Sequence, residues 1–269
     1  MTQVRVTGLF VYPVKSARGT ARSCALVESM GLADDRRYMV VRPDGRFLTQ
    51  RSHPMLARLG VDAVAGGLAL SVPGAPAVRV EETHCTVPLA VEVWGDAVAA
   101  RDGGDAAAAL LSEFVGEAAR LAWLPPASAR EADREFTHGR AVPVGFADGF
   151  PILVCNEASL ADLNERLPAP IPMSRFRPNI VLGGLPAYAE DAIVEVSIGA
   201  VRLRLVKPCT RCTIPSIDQV TGLPGVDPAP VLKHYRQDPV LRGVTFGMNA
   251  IVTAGVGAEI CVGDPVDVL

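Results

Sequence analysis

The segment KPCTRCTIPSIDQVTG at 207–222 concentrates the residues most able to do chemistry, with Cys209 and Cys212 in a C-x-x-C spacing around Arg211. That spacing has three ordinary uses: half of a zinc site, a dithiol redox pair, or a single thiolate metal ligand with an incidental neighbour. Structural zinc needs four ligands. Here Cys24 and Cys85 are isolated, and His53, His84, His138 and His234 have no partner spacing. A thioredoxin-like pair opens a helix whose dipole lowers the thiol pKa, but the TIPSID that follows has Pro215 and β-branched residues and does not open one. What remains is a cysteine in a loop at a strand end, beside a guanidinium that stabilises a thiolate. Thiolate is the soft ligand that heavy redox metals accept.

Other candidates have plainer readings beside the functional one. YPVKSARG (12–19) sets Lys15 and Ser16 in a turn that resembles a fragment of a phosphate loop, without the full G-x-x-x-x-G-K-[ST]; the alternative is a solvated lysine. GLADDRRYMVV (31–41) places Asp34, Asp35, Arg36 and Arg37 before a strand, which also suits a surface salt-bridge cluster. In SRFRPNIVL (174–182), Arg177 and Asn179 are two apart and share a side of an extended chain. That pairing suits an oxyanion or an amide-rich ring, or a structural pair. Asp148 precedes a buried strand, where capping a turn is the default. Cys24, Cys155 and Cys261 lie among apolar neighbours and read as small buried hydrophobes.

The elements that must position these groups are mostly strands. Runs at 4–14, 37–43, 68–72 and 91–94 are punctuated by Pro-Asp-Gly, Gly-Gly, Pro-Gly and Gly-Asp turns. A helix over 105–117 follows, with Asp105 as its expected N-cap. From 125 to 147 the pattern dissolves into a connection or loop. A second helix begins at an Asn156 cap and carries Leu160, Leu163 and Leu167 on one face before Pro168 stops it. Strand-like runs at 179–184, 192–199, 201–206, 249–254 and 259–269 complete the chain, with a short helix over 228–237.

At 269 residues and 49% hydrophobic the chain can bury a sizeable core, and its net charge of −3 advertises no nucleic-acid scaffold. Only three of the 26 basic residues are lysines (Lys15, Lys207, Lys233), a bias that base composition explains. No signal peptide or apolar transmembrane run is present, so a cytoplasmic location is the default expectation, with no membrane partner.

Taken in order, VYPVKSARG, GLADDRRYMVV and GRFLTQRSHPMLARL, then EASLADLN, FRPNIV, C-x-R-C and VGDPV, resemble the MOSC-domain molybdenum enzymes, the mitochondrial amidoxime-reducing component and its bacterial relatives. The resemblance spans essentially the whole chain. It implies a mainly β (α+β) protein with an N-terminal β-rich module (1–124) and a MOSC-type β-barrel (125–269), with a cofactor cleft at their junction. It implies a molybdenum cofactor (Mo-molybdopterin) with Cys212 as the thiolate ligand and Cys209 structural. Lys15, Ser16 and Arg36 from the first module, and Asp148, Arg177, Asn179 and Arg211 from the second, align with cofactor contacts. Where some relatives have a hydroxyl residue after the aligned Asp, this chain has Gly149. The implied activity is reduction of N-hydroxylated compounds (hydroxylamines, amidoximes, N-hydroxylated bases) by oxygen-atom abstraction, with Cys212 and Arg211 at the reacting centre. Because the chain starts at its first strand and stops at VGDPVDVL, with no iron–sulfur run, electrons are expected from a separate ferredoxin-, cytochrome- or flavin-type protein. The alternative is a module that carries sulfur or cofactor on Cys212, and a non-enzymatic binding module is a third reading.

Overall fold

A computed structural model describes residues 3–269. The largest sheet has nine strands. Its path runs Asp267–Val268, Glu195–Ile198, Val201–Thr210, Gly243–Ala254, Ile152–Asn156, Ile180–Gly183, Arg5–Val11 and Thr20–Arg22, with Gln237–Asp238 pairing beside Gly243–Ala254. A five-stranded sheet runs Pro88–Val93, Asp96–Asp102, Arg120–Trp123, Tyr38–Val41 and Val14–Lys15. A three-stranded meander, Gly60–Val64, Gly67–Ser71 and Val78–Glu81, packs with it. Among the described residues three α-helices, α1 (Asp105–Val115), α2 (Glu157–Arg166) and α3 (Ala229–Tyr235), flank a mainly β protein. None of them is long and apolar enough to cross a membrane.

The sheets do not divide at residue 124. Arg5–Val11 pairs antiparallel with Ile180–Gly183, and Cys24–Glu28 pairs with Glu259–Cys261, so the start of the chain completes the sheet of its second half. Three residues later the chain has changed sheets, because Val14–Lys15 lies parallel to Tyr38–Val41. The segment from Tyr12 to Ser16 is therefore the crossing between the two cores. One core gathers Val6, Leu9, Ile152, Val154, Ile180, Leu203 and Ala250. The other gathers Val14, Val40, Leu48, Leu56, Leu59, Leu68, Leu111 and Leu121.

Several local expectations are corrected. Asp105 is not the N-cap of α1: Gly104 is, with φ 90° and no side-chain cap. Asp102 folds back to accept from the Gly104 N–H at 2.7 Å, while Asp105 is drawn to Arg120 Nη2 at 2.9 Å. Cys24 and Cys261 are not buried hydrophobes. They face each other across paired strands and form a disulfide, whereas Cys155 is fully buried as expected. The strand expected over 201–206 continues to Thr210, which places Cys209 within it and Cys212 just beyond its end. Asn156 caps α2 as its sequence implies, its Oδ1 accepting from the Ala158 N–H at 3.1 Å. Residues 125–147 hold two short paired strands, Arg130–Glu131 and Pro143–Val144, one 3₁₀ turn and a hydrogen-bonded turn between the strands.

Candidate functional site

The crossing at 12–16 explains how distant parts of the sequence meet. The Arg36 N–H donates to the Tyr12 carbonyl at 2.8 Å and the Phe146 N–H donates to the Arg36 carbonyl at 2.8 Å. Three segments, 12–16, 35–38 and 144–150, are thereby stitched side by side. Gly145 permits the last of these approaches, since a Cβ there would stand 2.8 Å from the Arg36 carbonyl oxygen. The chain 209–214 and the residues before Ile180–Gly183 close the other side. The result is a cleft between the two cores. Lys15, Ser16, Arg36, Asp148, Arg177, Asn179, Arg211 and Cys212, the eight residues that the resemblance implies for the site, line it together.

Lys15 is only 5% exposed. Its Nζ donates to the Phe146 carbonyl at 2.8 Å and to Asp148 Oδ1. It is therefore not the solvated lysine of the plainer reading. Burial lowers its pKa, against the pull of Asp148. Asp148 sits at the cleft mouth with a largely exposed side chain. Desolvation acts to raise its pKa, but the charge and hydrogen bond of Lys15 hold it well below the usual carboxylate range.

Asp35 and Arg36 are likewise no surface cluster. Asp35 is buried and accepts from the Tyr12 N–H at 2.8 Å and from Arg36 Nη1 at 2.5 Å. Arg36 Nη1 also reaches Asn179 Oδ1 at 3.0 Å, and Nη2 reaches the Arg177 carbonyl at 3.2 Å. Burial works to lower the Arg36 pKa, but Asp35 outweighs it and the pKa is raised. Asn179 is 1% exposed. Its Oδ1 accepts from Leu153 N–H as well as from Arg36, and its Nδ2 donates to the Phe10 carbonyl at 3.2 Å. Much of this amide is therefore occupied in holding Arg36.

Arg177 does not lie on an extended chain with Asn179, as its spacing suggested. It ends a 3₁₀ turn in the left-handed region, φ 55°. Its Nη1 donates to the Ala17 carbonyl at 2.7 Å, but its buried Nη2 has no partner among the described residues. Burial lowers its pKa to about 10, against the opposing influence of Tyr12. The Tyr12 ring lies 4.2 Å from the Arg177 Cζ and 4.6 Å from the Arg36 Cζ, a cation–π contact with both. Arg211 gives Nη2 to the Phe176 carbonyl at 2.7 Å and Nη1 to Cys209 Sγ at 3.0 Å, leaving its buried Nε unpartnered. Cys209 also lines the cleft, beside Cys212.

Sequence reasoning missed Thr49 and Arg51, which line the cleft, and Tyr12 and Trp94, which brace it. Tyr12 stood unassigned within YPVKSARG, and Trp94 was read as the end of a strand. A signal existed at Trp94, where an indole occupies a two-residue turn of a kind that ordinarily takes Asn-Gly. Ser16, Arg36, Trp94 and Arg177 all have positive φ (65°, 49°, 55° and 55°). Non-glycine residues in that region carry strain that clusters at functional sites.

A buried cation set with unpartnered N–H donors and two thiols at its edge is short of an anion. That donor set fits a phosphorylated, metal-bearing group: guanidinium and ammonium for phosphate, thiolate for a soft metal.

Comparison with known proteins agrees with this architecture. Residues 3–118 match the MOSC N-terminal beta barrel domain and residues 142–267 the MOSC domain. The chain is 34% identical to mitochondrial amidoxime-reducing component 1 of Mus musculus, over 98% of this chain and 82% of that protein. It is 32% identical to component 1 of Homo sapiens, with the same coverage. For component 2 of Bos taurus the identity is 31%, over 97% of this chain and 82% of that protein. The chain thus belongs to the MOSC-domain proteins with an N-terminal beta barrel domain, the family that includes the mitochondrial amidoxime-reducing components.

Proposed function

We propose that this protein is a molybdenum-cofactor-dependent reductase of N-hydroxylated compounds. The observation that carries the reading is the anion-deficient cleft, in which Lys15, Arg36, Arg177 and Arg211 converge beside Cys212 with buried donors of Arg177 and Arg211 unpartnered. The names of the curated relatives favour amidoximes within that substrate class. When bound, the molybdenum cofactor supplies two-electron removal of oxygen from nitrogen: R–NHOH + 2 e⁻ + 2 H⁺ → R–NH₂ + H₂O.

The protein's part is binding and orientation. Cys212, just beyond the end of a ten-residue strand, would be the metal ligand. Arg177, Lys15 and Ser16 hold the phosphate from the junction. Asp148 keeps Lys15 in place and offers its exposed oxygen to the pterin. Asn179 is a positioning residue, fixing Arg36 through its carbonyl oxygen. Arg211 is itself fixed by Phe176 and Cys209, so its charge stays beside the cysteine sulfurs and the reacting atoms. Electrons come from a separate donor protein.

Metal analysis and pterin fluorescence on protein purified from a cofactor-competent host test this reading, followed by hydroxylamine and amidoxime turnover with dithionite-reduced viologen. About one molybdenum per chain, with pterin and turnover, is the expected result. Pterin without metal, or a persulfide on Cys212, would instead make the chain a carrier. Neither cofactor nor persulfide would leave a binding module.

A further inference from the structure

The hairpin joining Pro88–Val93 to Asp96–Asp102 turns through two residues, Trp94 and Gly95, because Val93 pairs directly with Asp96. Both are left-handed, with φ 55° and 95°. Such turns favour Asn-Gly, and a bulky aromatic in this conformation is an outlier. The indole is also 51% exposed. A half-exposed tryptophan in a strained turn gains only part of what burial would give it, and strain of this kind points towards function.

The turn is held against the cleft. Trp94 Nε1 donates to Asp148 Oδ1 at 3.2 Å. Arg130 clamps the same hairpin tip, donating to Asp96 Oδ2 at 3.0 Å and to the Ala147 carbonyl at 2.9 Å. The Phe47 ring meets the indole edge-to-face, with centroids 5.2 Å apart and planes at 71°. The Arg51 Cζ lies 4.7 Å from the indole centroid. Arg51 lines the cleft, and its guanidinium has no hydrogen-bond or ion-pair partner among the described residues. The aromatic rings that line the cleft, Phe150 and Phe176, are buried at 8% and 0% exposure; Trp94 is not in that lining, but through Asp148 and Arg51, which are, it sets an exposed ring beside the cleft.

We propose that Trp94 and Arg51 form a substrate-selecting wall, which favours planar aryl or heteroaryl N-hydroxylated compounds over aliphatic ones. The proposal rests on the reductase reading and adds the substrate class. A guanidinium over an indole extends a π surface towards the cleft, on which a flat ring stacks. Its free N–H donors can meet an acceptor on the ring's edge. An aliphatic amidoxime gains little from either.

The test compares benzamidoxime with acetamidoxime on cofactor-loaded wild type, Trp94→Asn and Arg51→Ala. Asn suits the left-handed turn, so Trp94→Asn should fold with an undiminished midpoint of thermal unfolding. The expected result is a fall of about 3–10-fold in the kcat/KM ratio of benzamidoxime to acetamidoxime in each variant, carried by KM for benzamidoxime. An unchanged ratio would overturn the proposal. So would a loss of molybdenum and pterin in either variant, since the wall would then be holding the cofactor. Quenching of tryptophan fluorescence by benzamidoxime and by acetamidoxime, both neutral at about pH 7 and added without reductant, gives a readout that needs no turnover. Preferential quenching by benzamidoxime, reduced in Arg51→Ala, supports the wall, and equal quenching overturns it. If loaded wild type reduces neither amidoxime, the reductase reading fails, and the quenching comparison still decides whether Trp94 selects aryl ligands.

Discussion

Arg177 shows most directly what the cleft requires of single residues. It is 8% exposed, in a left-handed conformation, and keeps one buried N–H group without a partner. Burial lowers its pKa to about 10, so it remains charged at neutral pH and confronts the cleft with an uncompensated cation. Arg177→Lys retains the charge but loses the fork that reaches the Ala17 carbonyl and the cleft together. The expected outcome is retention of cofactor through gel filtration weakened on the order of tenfold, as for loss of one charge-assisted hydrogen bond, read as molybdenum and pterin per chain. Full retention would remove Arg177 from the binding set. The residue types at this site were legible in the sequence, and all eight chosen positions line the cleft. Their roles were less so. Asp35 and Lys15 look like surface charges until the chain's change of sheets buries them, and no local pattern reveals that change.

Among the elements, α2 has the most explicit chemistry at its start. Asn156 caps it through Oδ1 and uses Nδ2 on the Pro186 carbonyl at 2.7 Å and on Glu190 Oε2 at 3.1 Å. Asn156→Ala should cost at least about 1 kcal/mol in denaturant titrations, since it removes a cap and two buried bonds. Glu190 is fully buried, and desolvation raises its pKa despite hydrogen bonds from Ser159 and Asn156. A carboxyl whose pKa is raised on folding binds more protons in the native state. Its contribution is complete below the unfolded value of 4.5 and declines as pH rises through the folded value. Wild type should therefore lose stability over that window relative to Glu190→Gln, measured as unfolding free energy against pH; parallel curves would contradict it. The Asn156 cap and the leucine spacing made this helix readable. The cap of α1 was misread because Asp105 competes for Arg120, a partner fifteen residues away.

At the scale of the whole molecule, the two cores are interleaved along the chain. The first strands complete the sheet of the second half, the crossing at Tyr12–Ser16 builds the cleft, and Gln50 and Gln219, from the two halves of the chain, exchange side-chain hydrogen bonds at 3.0 and 2.9 Å. Urea unfolding should thus be a single transition, with tryptophan fluorescence, which reports Trp94 and Trp123 in the first half, coinciding with far-ultraviolet circular dichroism. Two separated transitions would show independent cores. The Cys24–Cys261 disulfide ties the same ends together, and its reduction should lower stability by about 2–4 kcal/mol. Strand existence was legible from alternation and turns. The pairing of residues 5–11 with 180–183 and the disulfide were not, because both join positions far apart in sequence whose local patterns carry no mutual signal. The account as a whole rests on Cys212 binding the metal among these cations. Molybdenum-edge X-ray absorption of loaded wild type, Cys212→Ser and Cys209→Ser tests that most directly. The account predicts one sulfur fewer around molybdenum in Cys212→Ser and none lost in Cys209→Ser; an unchanged sulfur count in Cys212→Ser would contradict it.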